Sequence, residues 1–172
     1  MNMKTILACA GALSLSLGVV ACGDADEPAN TAPEAPEGIA VTDGWMSLPA
    51  VEGNPAAVYF TISNTGDNQA TLRSAAVMGA QSATLHDTVE YDFQQDMQEL
   101  PAVPVMPGDT LEFVPGGRHV MAMNPDATLD PGSETEVTLT FAGGDKISFP
   151  VTIYASGDMP DGAATADAEA AE

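Results

Sequence analysis

The sequence predicts an all-β domain, a sandwich or a barrel, over residues 38–155. Two observations carry this. Short runs rich in β-branched and aromatic residues recur at roughly even spacing, with Gly, Pro, Asn and Asp between them. No long stretch repeats its apolar residues with the 3.6-residue period of a helix.

In chain order, "AAVYFTISN" (56–64) is a clear strand, with a proline before it and "NTGDN" after it. "QATLRSAAV" (69–77) follows, and the short polar link makes it the expected hairpin partner of 56–64. "SATLHDTVE" (82–90) is the next strand. "YDFQQDMQELPAVPVMPGD" (91–109) shows no alternation and reads as irregular. "DTLEFVP" (109–115) runs into "PGG", a turn signal, and "RHVMAMN" (118–124) leaves it. "TEVTLTF" (135–141) and "KISFPVTIYA" (146–155) flank a second Gly-rich turn, "AGGD". Pro150 inside the last run points to an edge strand or a bulge, because proline cannot donate to a ladder.

The segments outside this domain have a different character. "MNMKTILACAGALSLSLGVV" places Lys4 ahead of an apolar stretch from Thr5 to Ala21. A charged start and a short apolar run are the marks of a signal peptide, residues 1–21, and too little for a lasting membrane span. The stretch ends in "VVAC" (19–22), which resembles a bacterial lipobox and makes Cys22 the expected lipid-bearing first residue of the mature chain. The alternative is an ordinary secretory signal cut after Ala21. Residues 22–37 are acidic and rich in Pro and Ala, and read as a disordered tether. Such a segment spans on the order of 20 Å root-mean-square. Residues 156–172 have the same composition and read as a loose acidic tail.

The formal net charge is −21, with Lys4, Arg73, Arg118 and Lys146 the only basic residues apart from two histidines. Nucleic-acid binding is excluded, since it requires a basic footprint. The two cysteines are Cys9 and Cys22, so the β domain contains none. It therefore has no disulfide, no thiolate ligand and no thiol nucleophile.

Four residues stand out: His86, Met97, His119 and Met121. In a strand, His119, Met121 and Met123 share one face, and Val120 and Ala122 the other. Thioethers are soft ligands that favour Cu(I), and imidazole also suits copper. A His/Met set argues against Mg, Ca and structural Zn, and the missing cysteine argues against a blue-copper centre. Asp87, Asp92 and Asp96 lie near in sequence as candidates to offset the charge of a bound cation. Against this, a methionine in a β domain is usually core filler. Met78 and Met106 are assigned to the core, Met159 to the tail and Met123 to packing; Met46 is left between core and rim.

The spacing is His86, ten residues, Met97, twenty-one residues, His119, one residue, Met121. It resembles the full motif of the periplasmic copper chaperone family known as PCuAC, with no gap adjustment. "GWMSLPA", "AAVYFTISNTGDNQATLRSAAV", "ATLHDT", "PGGRHVMAM" and "LDPGSETEVTLTF" resemble that family's successive regions, so the likeness spans about residues 40–155. The resemblance implies a single cupredoxin-like domain, an immunoglobulin-like Greek-key β-sandwich, binding Cu(I) through these four residues. It implies a non-enzymatic carrier in the bacterial periplasm that delivers copper to the dinuclear centre of cytochrome c oxidase subunit II or to its assembly factors. The membrane would be engaged through the lipid on Cys22 alone. Some relatives add a second copper site in a His/Met-rich tail; this tail offers only Met159. Two other functions remain open at this point: copper buffering without a dedicated client, and a metal-free envelope lipoprotein that docks other proteins.

Overall fold

The computed structural model describes residues 35–91 and 94–165. The signal peptide, Cys22, most of the tether and the end of the tail lie outside the described residues, as does Asp92. The described residues form ten strands and no helix: β1 (Ile39–Ser47), β2 (Ala56–Asn64), β3 (Ala70–Val77), β4 (Ala80–Tyr91), β5 (Gln94–Glu99), β6 (Val103–Val105), β7 (Thr110–Phe113), β8 (His119–Pro125), β9 (Glu134–Phe141) and β10 (Lys146–Tyr154).

Strand β2 shows why the chain folds this way. Ala56, Val58, Phe60 and Ile62 are buried and the residues between them only partly so, the period-two signature of a half-buried strand. Hydrogen bonding links the strands in the order β5-β4-β8-β2-β1-β10-β9-β3-β6, with β7 also on β2. β3 packs against β4, so the two arms of this path close on one core. One arm contributes Val58, Ile62, Leu85 and Val120; the other contributes Leu72, Val137, Leu139 and Val151. Full burial of each such side chain is worth about 1.5–3 kcal/mol. The result is an all-β sandwich of the expected class.

Three local expectations need correction. Residues 69–77 do not form a hairpin with 56–64: β3 pairs with β9 and β6, while β2 pairs with β1, β7 and β8. The link after β2 crosses between the arms instead. Asn64, fully buried, organises that crossing, donating to the carbonyls of Asn68 and Val105 at 2.9 Å each and accepting from the Gly66 N–H at 3.0 Å. Second, the supposedly irregular 91–109 contains β5, antiparallel to β4, and the short β6. Third, Met78 and Met106 are exposed rather than in the core, whereas Met46 is fully buried. Pro150 is paired with Glu136 of β9, and β1 joins β10 only from Thr152 onward, so the proline sits where β10 has one neighbour.

β7 and β8 lie end to end along one flank of β2, against Phe60–Ser63 and Ala56–Val58 respectively. The "VPGGR" segment (114–118) joins them, with Gly116 at φ 84°, a left-handed conformation that side chains disfavour. This turn makes His119 the first residue of β8. In the tail, residues 160–164 line a cavity of about 470 Å³ with Trp45 and Tyr154.

Candidate metal site

The register of three neighbouring strands assembles the site. In the antiparallel β4–β8 pair, His86 lies directly opposite His119, and Thr84 opposite Met121. In the β4–β5 pair, Glu99 lies opposite His86, and Met97 opposite Thr88. Directly opposed residues share a sheet face, and every second residue along a strand shares it too. His86, Met97, His119 and Met121 therefore occupy one face of β5-β4-β8. The alternate residues Leu85, Val120 and Ala122 are buried in the core, which sets this face outward.

The sequence-chosen four are thus brought to one face, and exposure grades across it. His119 is 6% exposed, while Met97, on the outermost strand, is 51% exposed. The two imidazole rings are 5.9 Å apart between centroids and inclined by 25°. Tyr59 approaches His119 at 6.3 Å and Trp45 at 4.5 Å, so two aromatic rings lie beside the site on the β2 and β1 side.

Hydrogen bonds engage one ring nitrogen of each histidine. His119 Nδ1 lies 2.9 Å from the Gly117 carbonyl. A carbonyl only accepts, so Nδ1 carries the proton and Nε2 keeps its lone pair free. An outer hydrogen bond of this kind is how metal-binding histidines are usually oriented. His86 Nε2 lies 2.9 Å from the Thr84 hydroxyl, and its Nδ1 is buried with no hydrogen-bond partner. With the hydroxyl accepting, Nδ1 presents a bare lone pair. A buried polar atom left unpaired costs about 1–3 kcal/mol, which a bound cation would relieve. The His86 pKa is lowered, first by burial and then by the neighbouring His119, with Glu99 opposing them. The ring therefore stays neutral, the form that ligates, into more acid solution than an ordinary imidazole.

Among the described residues, no three His, Cys, Asp or Glu side chains form a group that holds a metal. The candidate donors are instead the mixed imidazole and thioether set, which is soft and carries no charge of its own.

The family described as "Putative lipoprotein LpqE-like" matches residues 39–153. The chain belongs to this LpqE-like family. A relative in Leifsonia xyli subsp. xyli, "Putative lipoprotein Lxx21020", is 32% identical over 133 residues, covering 76% of this chain and 79% of that one. Among solved structures, the LpqE-like domain has the fold of PCuAC domains. The copper-bound PCuAC domain from PmoF2 superimposes with a TM-score of 0.58 at 20% identity, over 72% of this chain and 97% of that one. The apo PCuAC domain from PmoF1 gives 0.57 at 24% identity, over 69% and 94%.

The acid beside the candidate site is not one of those chosen from the sequence. Asp87 and Asp96 are each one residue out of phase with a candidate ligand, so they belong to the opposite face. Asp87 instead approaches Arg118, Oδ2 to Nε at 3.8 Å. Glu99, opposite His86, is a carboxylate on the site face, and sequence reading passed over it. The signal available was its place two residues after Met97, but that signal appears only once β5 is known to be a strand. Thr84 and Tyr59 were missed for the same reason: their roles come from pairing between strands.

Proposed function

We propose that this chain is an extracytoplasmic copper chaperone. It binds Cu(I) through His86, Met97, His119 and Met121, is held at a membrane by lipid on Cys22, and hands copper to respiratory oxidase assembly, namely the dinuclear centre of subunit II. The observation that carries the reading is the register, which gathers four soft or borderline donors on one face while leaving the His86 Nδ1 without a partner. The lipoprotein description of the family supports the anchor, and the copper held by the similarly folded PmoF2 domain supports the cargo.

The chemistry suits a carrier. Four neutral donors leave one positive charge on bound Cu(I), which Glu99 across from His86 partly offsets. Thioethers do not titrate, so their share of the binding is independent of pH. Release needs only ligand exchange, which the exposed Met97 allows.

Anaerobic titration with Cu(I) against the chelator bicinchoninate tests the site. The parent is expected to take up a single equivalent. The His119→Ala, Met121→Ala double variant should bind at least about 100-fold more weakly, since loss of an outer-shell partner alone costs 10–100-fold. Equal affinity in parent and variant would sink the assignment. For the client, deletion of the gene should lower oxidase activity in a way that added copper restores; copper sensitivity with intact oxidase would point to buffering instead.

A further inference from the structure

The two ends of the strand path differ in what they leave open. At one end β6 has three residues; Val103 and Val105 are buried, and Pro104 between them has no N–H to offer. At the other end β5 has six residues, all exposed and none a proline. Among the described residues it is hydrogen-bonded to β4 alone. Proteins blunt such an edge with proline or charge, or cover it; of these β5 has only the charges of Asp96 and Glu99. Among the described residues no further strand covers this edge, and it carries Met97, more exposed than either histidine.

Charge restricts what can pair there. β5 carries Asp96 and Glu99 in a chain of net charge −21. A second copy would bring the same acids against them. A basic segment meets an attractive field.

We propose that β5 is the docking edge for the copper acceptor, which adds an extended, basic segment as a further strand, and that Met97 is the first ligand exchanged. The proposal rests on the copper site described above. Strand addition draws affinity from main-chain hydrogen bonds and specificity from alternate side chains. A strand laid beside β5 places every second side chain on the face of Met97 and the others on the face of Asp96. A thioether or imidazole of the partner forms its bond to Cu(I) as the Met97 sulfur leaves. The number of neutral donors is conserved, and no electron or proton moves.

The test uses the full chain loaded with Cu(I) and two synthetic peptides, one alternating Met with Lys and the other Met with Glu. The Met/Lys peptide is expected to slow amide hydrogen exchange across residues 94–99 and to extract copper faster than the Met/Glu peptide. Asp96→Lys should reduce that preference roughly three- to tenfold, the scale set by one or two exposed charge pairs, and leave Cu(I) affinity against bicinchoninate unchanged. The same change at Asp145, in the turn between β9 and β10, should leave the preference intact. Equal extraction by both peptides, no protection of β5, or equal effects of the two substitutions overturns the docking edge while the copper site stands. Protection of β5 that grows with protein concentration in the absence of peptide assigns the edge to a second copy and overturns it too. A parent that binds no Cu(I) removes the site reading and the docking proposal together.

Discussion

The β4–β8 pair carries two surfaces one residue out of phase. On one face Leu85, Val120 and Ala122 are buried at 2% exposure or less. On the other, His86, His119 and Met121 are set with Thr84 in matched cross-strand positions. The same ladder positions both, yet they obey different physics. The core face is held by apolar burial, which is non-directional and tolerates a volume-conserving change. The proposed donor face would depend on lone pairs meeting at one ion, so a change of one atom type should matter there. The proposed site is therefore supported by a core that supplies none of its donors, and the two faces should fail separately.

The largest effect belongs to the core face. Leu85→Ala should destabilise the domain by about 2–5 kcal/mol through the cavity it leaves. Calorimetry should show a melting temperature many degrees lower, with Cu(I) affinity of the folded fraction retained. His119→Ala should do the reverse. Cu(I) affinity falls by at least about 100-fold, while the apo protein loses less stability than with Leu85→Ala. If both variants lose copper and stability in proportion, the two faces are not independent. Next comes Thr84→Val, which keeps the shape of the side chain and removes the hydroxyl beside His86 Nε2. Loss of such an outer partner costs about 10–100-fold in metal affinity, and the lower end is expected because Thr84 is only half-buried.

Smaller still is Glu99→Gln. Its carboxylate is exposed, so Cu(I) affinity should fall only a few-fold, and raising the ionic strength should erase the difference. The pH dependence comes last. Burial and the neighbouring imidazole lower the His86 pKa, so protons should not compete with copper at this ring until the solution is more acid than the usual imidazole range. The same shift bears on folding. The folded state prefers the neutral ring, so its contribution is complete above the unfolded pKa near 6.5 and is lost as pH falls through the lower folded value. Titrations of apo stability and of Cu(I) affinity from neutral to acid pH check both.

Legibility followed burial. β2 was readable at its observed bounds because apolar residues alternate along its length. β5 was not, because all six residues are exposed and mostly polar, leaving no hydrophobic phase to detect. Its strand character comes from pairing with β4. The link from β2 to β3 looked like a hairpin turn because a local polar segment carries no mark of crossing between arms. The choice of Asp87 and Asp96 over Glu99 was an error of phase that only the register exposes.

By itself the sequence determined the residue types and spacings: an all-β domain without cysteine, and His86, Met97, His119 and Met121 in a pattern suited to a soft ion. It determined the alternation that puts His119 and Met121 on one face, because that is a property of any extended chain. Only the tertiary structure decided that β4 lies between β5 and β8, which gathers donors scattered over 36 positions onto one surface. The reason is that cross-strand register depends on which strands pair, and pairing is settled by burial of the opposite face across the whole sandwich rather than by the residues of the site.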